Sequence, residues 1–446
     1  RLRRGKVVFN FEQPEHGEVA PAANVHAEVA SSLASASLDV APFDFASPGY
    51  APTLHFAYSN IGYQVLGTLL EALEERPYAE SIRRRILEPL GMTASEPVIT
   101  HDIRSCLAVG YEQLYDDRPS HSSHPLVEAT WFEYGAGDGS IAATPADLAA
   151  YLRMLLNRGA GPHGRVLSEE SFELLIQPGI KTDDNKHYGY GISVTEKDGR
   201  TLIGHSGGML GYSARLLGDL DDGLGVVVFV NGPGSPGRVT EFALEALRAA
   251  MQEQALPPLP DPNPATRVEN ATDYAGTYSS PDGKSLTLTA EGEKLLLLRG
   301  EENIALERRG KDRFFVNHPD FALFLLRFGR DQEEKIVEAI YGPDWYWNGR
   351  YHGPRQFPTP AAWNAYPGHY RTPNSWFSNF RIVLRKGKLW LVRPSGDERE
   401  LVELKPGFFQ VGTEETAERL RLDTVVNGKA LRSNFSGVHF YRTFTP

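Results

Sequence analysis

The chain has 446 residues, of which 41% are hydrophobic and 23% charged, with a formal net charge of −11. That length admits roughly two to four domains with ordinary cores, and the acidic balance excludes generic nucleic-acid binding, which needs a basic footprint. The single cysteine, Cys106, excludes an internal disulfide, and no apolar run approaches the ~18 residues of a membrane helix, so no membrane span and no nucleic-acid partner are expected.

Residues 1–50 are rich in Ala, Ser and Val without steady periodicity and predict an irregular segment. From Asn60 the pattern sharpens. Ile61, Val65, Leu66, Leu69, Leu70 and Leu73 recur at helical spacing. A second helix is expected over Tyr78–Leu90, ending at Gly91. Thr144-Pro145-Ala146-Asp147 combines a cap, a first-position proline and a first-turn acid, so a helix starts there and Gly159 closes it. Ser168-Glu169-Glu170 opens a shorter one.

Strands follow. Tyr188, Tyr190, Ile192 and Val194 alternate and predict one strand, which returns over Thr201–His205 after the Lys197-Asp198-Gly199 turn. Tyr212–Leu217 and Leu224–Val230 flank a second turn. A helix over Val239–Met251 then completes an α+β domain. Pro257, Pro258, Pro260, Pro262 and Pro264 predict a stiff linker over residues 255–267.

Beyond the linker short β-rich runs dominate, and they repeat. Tyr274-Ala-Gly-Thr-Tyr278 recurs as Tyr366-Pro-Gly-His-Tyr370, and each copy leads into paired strands and a Phe-Phe run. Two small antiparallel barrels or sandwiches are expected, over 268–352 and 353–446, with the α+β domain over 51–254. Trp345, Tyr346, Trp347, Trp363, Trp376 and Phe377 are assigned mainly to barrel core.

Three features of the first domain belong together: Tyr58-Ser59-Asn60 at a helix start, the helix after Thr144, and His205-Ser206-Gly207-Gly208 at a hairpin edge. With Tyr58-Ser-Asn-Ile-Gly-Tyr-Gln-Val-Leu-Gly67 and Ile86-Leu-Glu-Pro-Leu-Gly-Met92, the chain resembles the penicillin-recognising serine hydrolases over roughly residues 50–252. These include class C β-lactamases, D-aminopeptidases, carboxypeptidases and esterases. The resemblance implies an α+β beta-lactamase-like (transpeptidase-like) domain followed by two antiparallel lipocalin-like β-barrels. It implies acyl transfer on a small-molecule or peptide substrate, an amide or ester, with no cofactor or metal; a homo-oligomer is left open.

Carried over residue by residue, the resemblance makes Tyr58 the proton-transfer group and Asn60 the holder of the substrate amide or of a lysine. His205 becomes the group that helps bind and polarise, and Ser206, Gly207 and Gly208 the substrate-binding strand. The Gly208 N–H would form half of an oxyanion hole. A free phenol, with pKa near 10, is a poor base at neutral pH, so Tyr58 needs a neighbouring cation; protonated His205 could supply part of that charge.

In the family the attacking serine precedes a lysine by three residues. None of the 12 lysines here has Ser or Thr three positions before it. The expectation is a chain that lacks the N-terminal segment carrying its nucleophile and is inactive as it stands, the full-length parent being a hydrolase. The alternative is a non-catalytic binding protein that uses the residual cleft and the barrels.

Three blander assignments complete the reading. Gly204-His-Ser206-Gly-Gly208 fits a nucleophile-elbow pattern, but the residues after it read as strand rather than helix. His101, His121 and His124 are assigned as solvated loop histidines, not metal ligands. Asp116-Asp117-Arg118 is assigned to a solvated loop.

Overall fold

The computed structural model describes residues 56, 58–259, 265–412 and 418–443. The irregular segment over 1–50 and the prolines Pro260, Pro262 and Pro264 lie outside the described residues. The chain divides into two units: one takes in the described residues up to Gly110 together with Trp131–Pro257, the other Tyr111–Thr130 together with the chain from Pro258.

In the first unit, helix α1 (Asn60–Glu74) begins at Ser59, whose hydroxyl accepts the Gly62 N–H at 3.1 Å. This satisfies one of the free amides of the first turn. The stretch expected as one helix over 78–90 starts as α2 (Tyr78–Ile82), widens into a π-helical turn over Arg83–Leu87, and closes over Glu88–Leu90. Pro89 has no N–H to offer the preceding turn and its ring crowds the carbonyl behind it, and a widened turn relieves both. Gly91 ends the helix in the left-handed region, at φ +67°. Helix α3 (Pro145–Leu156) is capped by the Thr144 hydroxyl, which accepts from the Asp147 N–H. Helix α4 (Glu169–Ile176) is capped by Ser168.

Six antiparallel strands form a meander: β1 (Ile180–Asp183), β2 (Lys186–Tyr188), β3 (Ser193–Lys197), β4 (Arg200–Met209), β5 (Tyr212–Asp219) and β6 (Leu224–Val230), adjacent in chain order. The single strand expected over Tyr188–Val194 is instead the turn between β2 and β3. Gly191 sits at φ +83° there, and Tyr188 pairs with Ser193. Helix α5 (Gly237–Met251) follows. The Leu152 and Leu156 side chains of α3 lie so close to the sheet that a Cβ at Gly225 would come within 2.6 Å of Leu152, so glycine is what admits the helix there. Leu87, Leu90, Met154, Leu155, Phe172, Val194 and Ile203 fill the core between helices and sheet.

The second unit contains two closed eight-stranded antiparallel barrels, running from β7 (Gly276–Ser279) to β14 (Asp344–Trp347) and from β15 (Gly368–Arg371) to β22 (Val438–Thr443). The repeated Tyr-x-x-x-Tyr has a physical reason. The Tyr278 hydroxyl donates to the Tyr274 carbonyl at 2.8 Å, and the Tyr370 hydroxyl donates to the Tyr366 carbonyl at 2.8 Å. In each copy the second tyrosine is wholly buried, so its hydroxyl must find a partner inside the barrel. Side chains fill both interiors, around Tyr278, Leu297 and Phe314 in one and Tyr370, Phe380 and Phe409 in the other. Trp345 and Tyr346 are buried and Trp363 and Phe377 pack on the second core, but Trp376 is exposed.

Residues 111–130 correct two assignments. They carry a short hairpin, Tyr111–Gln113 with Leu126–Glu128, and the loop between its strands is bound to the barrels rather than solvated. Asp116 accepts from Arg371 at 2.5 Å and from the Ser378 hydroxyl at 2.8 Å, and its backbone carbonyl accepts from Asn379. Asp117 pairs with Arg118 and, at 3.1 Å, with Arg381. These cations hold both carboxyls below their ordinary range although burial works against them. His121 is only 8% exposed, stacks on Phe315 with ring centres 4.5 Å apart, and bonds Glu307 through Nε2 at 2.9 Å. Among the described residues no cluster of three metal-ligating side chains occurs, and no helix is long and apolar enough to cross a membrane.

Candidate active site

Tyr58 stands just ahead of the Ser59 cap, so the same local geometry that starts α1 presents its ring; it is half exposed. The helix is held in place by a close approach. A Cβ at Gly137 would meet the Tyr63 carbonyl at 2.5 Å, and one at Gly67 would meet the Gly137 backbone at 3.1 Å. Gln64 adds hydrogen bonds to the Tyr134 hydroxyl at 2.8 Å and to Asp138 at 3.1 Å. Asn60 is the first residue of the helix and is exposed.

His205 lies in β4. The Tyr58 and His205 rings are 6.2 Å apart, and Tyr188 lies against both, at 6.1 Å from Tyr58 and 5.9 Å from His205. The Tyr188 hydroxyl and His205 Nε2 are 2.9 Å apart. The sheet register explains the meeting: Tyr188 pairs with Ser193, and Ser193 pairs with Gly204, the residue before His205. Phe56, Tyr58, Tyr63, Tyr188 and Tyr190 line a cleft of about 580 Å³.

Ser206, Gly207 and Gly208 continue β4 past the end of β3. They pair with β5 on one side only, opposite Arg215, Ala214 and Ser213, and are exposed. Among the described strands, the other edge of this stretch has no partner, so backbone N–H groups are available there. A Cβ at Gly208 would meet no described atom within 4 Å. Ser206 therefore sits within a strand that turns into another strand, not at the strand-to-helix turn of a nucleophile elbow.

The electrostatics alter one expectation. Burial lowers the His205 pKa below its ordinary 6.5 and nearby Lys186 lowers it further, against a backbone hydrogen bond at Ser206 that acts the other way. At neutral pH the imidazole is uncharged, so it supplies no part of the cation that a Tyr58 phenolate would need. Burial, with the neighbouring Tyr63 and Tyr58 phenols, pushes Tyr188 well above the ordinary phenol range, and burial also raises Tyr63. The Tyr188 hydroxyl thus stays protonated while it shares a hydrogen bond with His205 Nε2. Tyr58, Tyr63, Tyr188 and Tyr190 give the cleft a phenol-rich wall, and His205 lies against it through Tyr188.

Tyr63 and Tyr188 join the site without a marker of their own in the sequence. Tyr63 falls inside the Tyr58–Gly67 motif, about one and a half turns beyond Tyr58. Tyr188 carries a strand pattern, and its place in the site follows only from the glycine turn after it that folds β2 back beside β3.

The chain matches the family described as Beta-lactamase over residues 17–290. Penicillin-binding protein 4* of Bacillus subtilis (strain 168) is 26% identical over 286 residues, covering 60% of this chain and 60% of that protein. A D-aminopeptidase of Brucella ovis is 24% identical over 246 residues, covering 54% of this chain and 43% of that protein. An octameric penicillin-binding protein homologue from Pyrococcus abyssi aligns over 66% of this chain and 65% of its own, with a TM-score of 0.40 and 24% identity. The chain spans less than two thirds of the length of the curated relatives it matches. With a family match that takes in more than half of its residues, the chain belongs to the beta-lactamase family.

Proposed function

We propose that the first unit supplies the carbonyl-binding and proton-transfer half of a serine-hydrolase acyl-transfer site for small amides, peptides or esters, with D-residue amides the first class to test. The observation that carries this reading is the convergence of Tyr58, Tyr188 and His205 beside the one-sided β4 edge at Ser206–Gly208. In this reading the Gly208 N–H donates to the substrate carbonyl oxygen as it gains charge. Tyr58 takes the proton of the attacking hydroxyl and passes it to the departing amine, while Asn60 holds the substrate amide. His205, neutral and fixed by Tyr188, orients rather than charges the site.

The attacking hydroxyl and the cation for Tyr58 belong to a Ser-x-x-Lys pair, and the 446 residues contain none. The chain alone is therefore expected to bind but not to turn over. A fluorophosphonate and a fluorescent penicillin test this. The chain as given should take neither label, and a form extended by an upstream segment bearing Ser-x-x-Lys should take both and lose them on Tyr58→Phe. Labelling of the unextended chain at Ser206 would reject the assignment in favour of an elbow-type esterase.

The missing pair and the uncharged His205 also favour a second reading, a non-catalytic binding protein that retains the cleft. It predicts no labelling with or without the added segment, alongside saturable binding of amides.

A further inference from the structure

A second cavity, of about 490 Å³, lies within the second unit where the two barrels join. Its wall carries four basic side chains, His369, Arg381, Lys429 and Arg442, and no Asp or Glu. Leu323, Phe324 and Val383 supply an apolar side. The volume falls in the range of small-molecule sites, ~300–1,000 Å³.

The internal repeat shows that barrel construction does not demand these basic residues. His369 pairs with Arg381 across the first two strands of the second barrel, and the corresponding pair in the first barrel is Thr277 with Thr287, two hydroxyls 3.3 Å apart. Arg442 sits opposite Tyr370, one residue beyond the Arg371–Tyr441 pair, just as Asn348 follows the Ser279–Trp347 pair. Asn348 donates to the Ile336 carbonyl and Arg442 to the matching Ala430 carbonyl, so a neutral amide fills the structural role in one copy and a guanidinium in the other. Three positions that are neutral in the first barrel are basic in the second.

The charges are also poorly neutralised. Arg442 donates to the backbone carbonyls of Ala365, Ala430 and Pro367 and lies over the Tyr370 ring, but pairs with no carboxylate among the described residues. Arg381 reaches Asp117 through one Nη, while its buried Nε has no acceptor among the described residues. Burial disfavours the Arg381 cation, which adds to the demand for an anion. Lys335, in the place of Lys429 in the first barrel, is paired with Glu333 at 2.6 Å. Gly368 keeps the cavity floor clear, because a Cβ there would come within 2.7 Å of the Arg442 guanidinium.

We propose that this cavity binds a small organic acid, with its carboxylate against Arg381, Arg442 and Lys429 and its apolar body against Phe324. The pairing is of the charge-assisted kind that guanidinium groups provide for carboxylates. The site is independent of the hydrolase cleft and of the reading given to it.

Calorimetric titration of the full chain with phenylacetate and with phenylacetamide tests the assignment. Phenylacetate is expected to bind at least roughly tenfold more tightly than the amide, since a charge-assisted hydrogen bond is worth about that factor. Lys429→Glu, at the exposed first residue of the strand Lys429–Phe435, should weaken phenylacetate roughly tenfold by placing repulsion beside the carboxylate, and Arg381→Met should weaken it further. Equal affinity for acid and amide overturns the proposal. So does acid binding that Lys429→Glu and Arg381→Met leave unchanged, or that Tyr188→Phe in the other cleft abolishes.

Discussion

Asp219 closes β5 with its side chain wholly buried, and it ties three elements together. Oδ1 accepts the Asp221 and Asp222 N–H groups at 3.1 and 3.0 Å, which sets the turn into β6. Oδ2 receives Arg248 of α5 at 2.6 Å and lies 3.6 Å from Arg200 of β4. Removing one partner of a buried ion pair costs about 3–5 kcal/mol. Arg248 is 21% exposed and keeps Asp222 on its Nε at 2.8 Å. That retained partner places Asp219→Ala near the lower end, about 3 kcal/mol. Asp219→Asn keeps an acceptor for the turn amides and loses only the charge, so about 1–2 kcal/mol is expected. Hydrogen exchange read by mass spectrometry on β4–β6 peptides reports the first unit separately from the barrels. Wild type should be most protected, the Asn variant intermediate and the Ala variant least. An Ala variant within about 1 kcal/mol of wild type, or an Asn variant equal to it, would refute the reasoning.

Acid should destabilise the protein in the window where histidines titrate. His124, His205 and His369 all have folded-state pKa values below 6.5, with burial as the first cause. The unfolded chain then binds more protons, so their contribution is complete above about pH 6.5 and is lost as pH falls through the folded values. Glu112, raised by burial, works in the opposite sense at lower pH. The unfolding temperature should therefore drop between pH 7.5 and 5.5, and a flat profile would contradict the assignment. Tyr278→Phe and Tyr370→Phe each strand a buried carbonyl and should cost about 1–2 kcal/mol in urea unfolding, with similar values in the two copies. Gly137→Ala should destabilise by about 1–3 kcal/mol, because its Cβ strikes a backbone carbonyl. Gly67→Ala should cost less, since its contacts are looser and a helix gains about 1 kcal/mol from the exchange.

Much of the helical part was legible because caps and glycine stops act locally. Ser59, Thr144 and Ser168 all cap the helices they announced. The barrels were legible through the repeat, whose buried tyrosine hydroxyls require the same donor geometry twice. What stayed hidden is non-local. The hairpin between β2 and β3 looks like one alternating strand because Tyr188, Tyr190, Ile192 and Val194 keep a period of two across a glycine turn. Asp116 and Asp117 look solvated because their partners, Arg371 and Arg381, lie more than 250 residues away. The neutrality of His205 depends on burial and on Lys186, neither of which the motif around it encodes. Tyr58 and His205 were paired through family resemblance, and the sheet register supplies Tyr188 as the group that joins them.

The proposed function requires that a carbonyl substrate sit between Tyr58 and the exposed Ser206–Gly208 stretch of β4, whether or not an attacking group is present. Nitrogen-resolved NMR titration of the full chain with D-phenylalaninamide tests it directly. Saturable shifts of the Ser206, Gly207 and Gly208 amides together with Tyr58 are expected, all following one binding curve. Shifts confined to another surface, or none at β4 while the ligand binds, would contradict it.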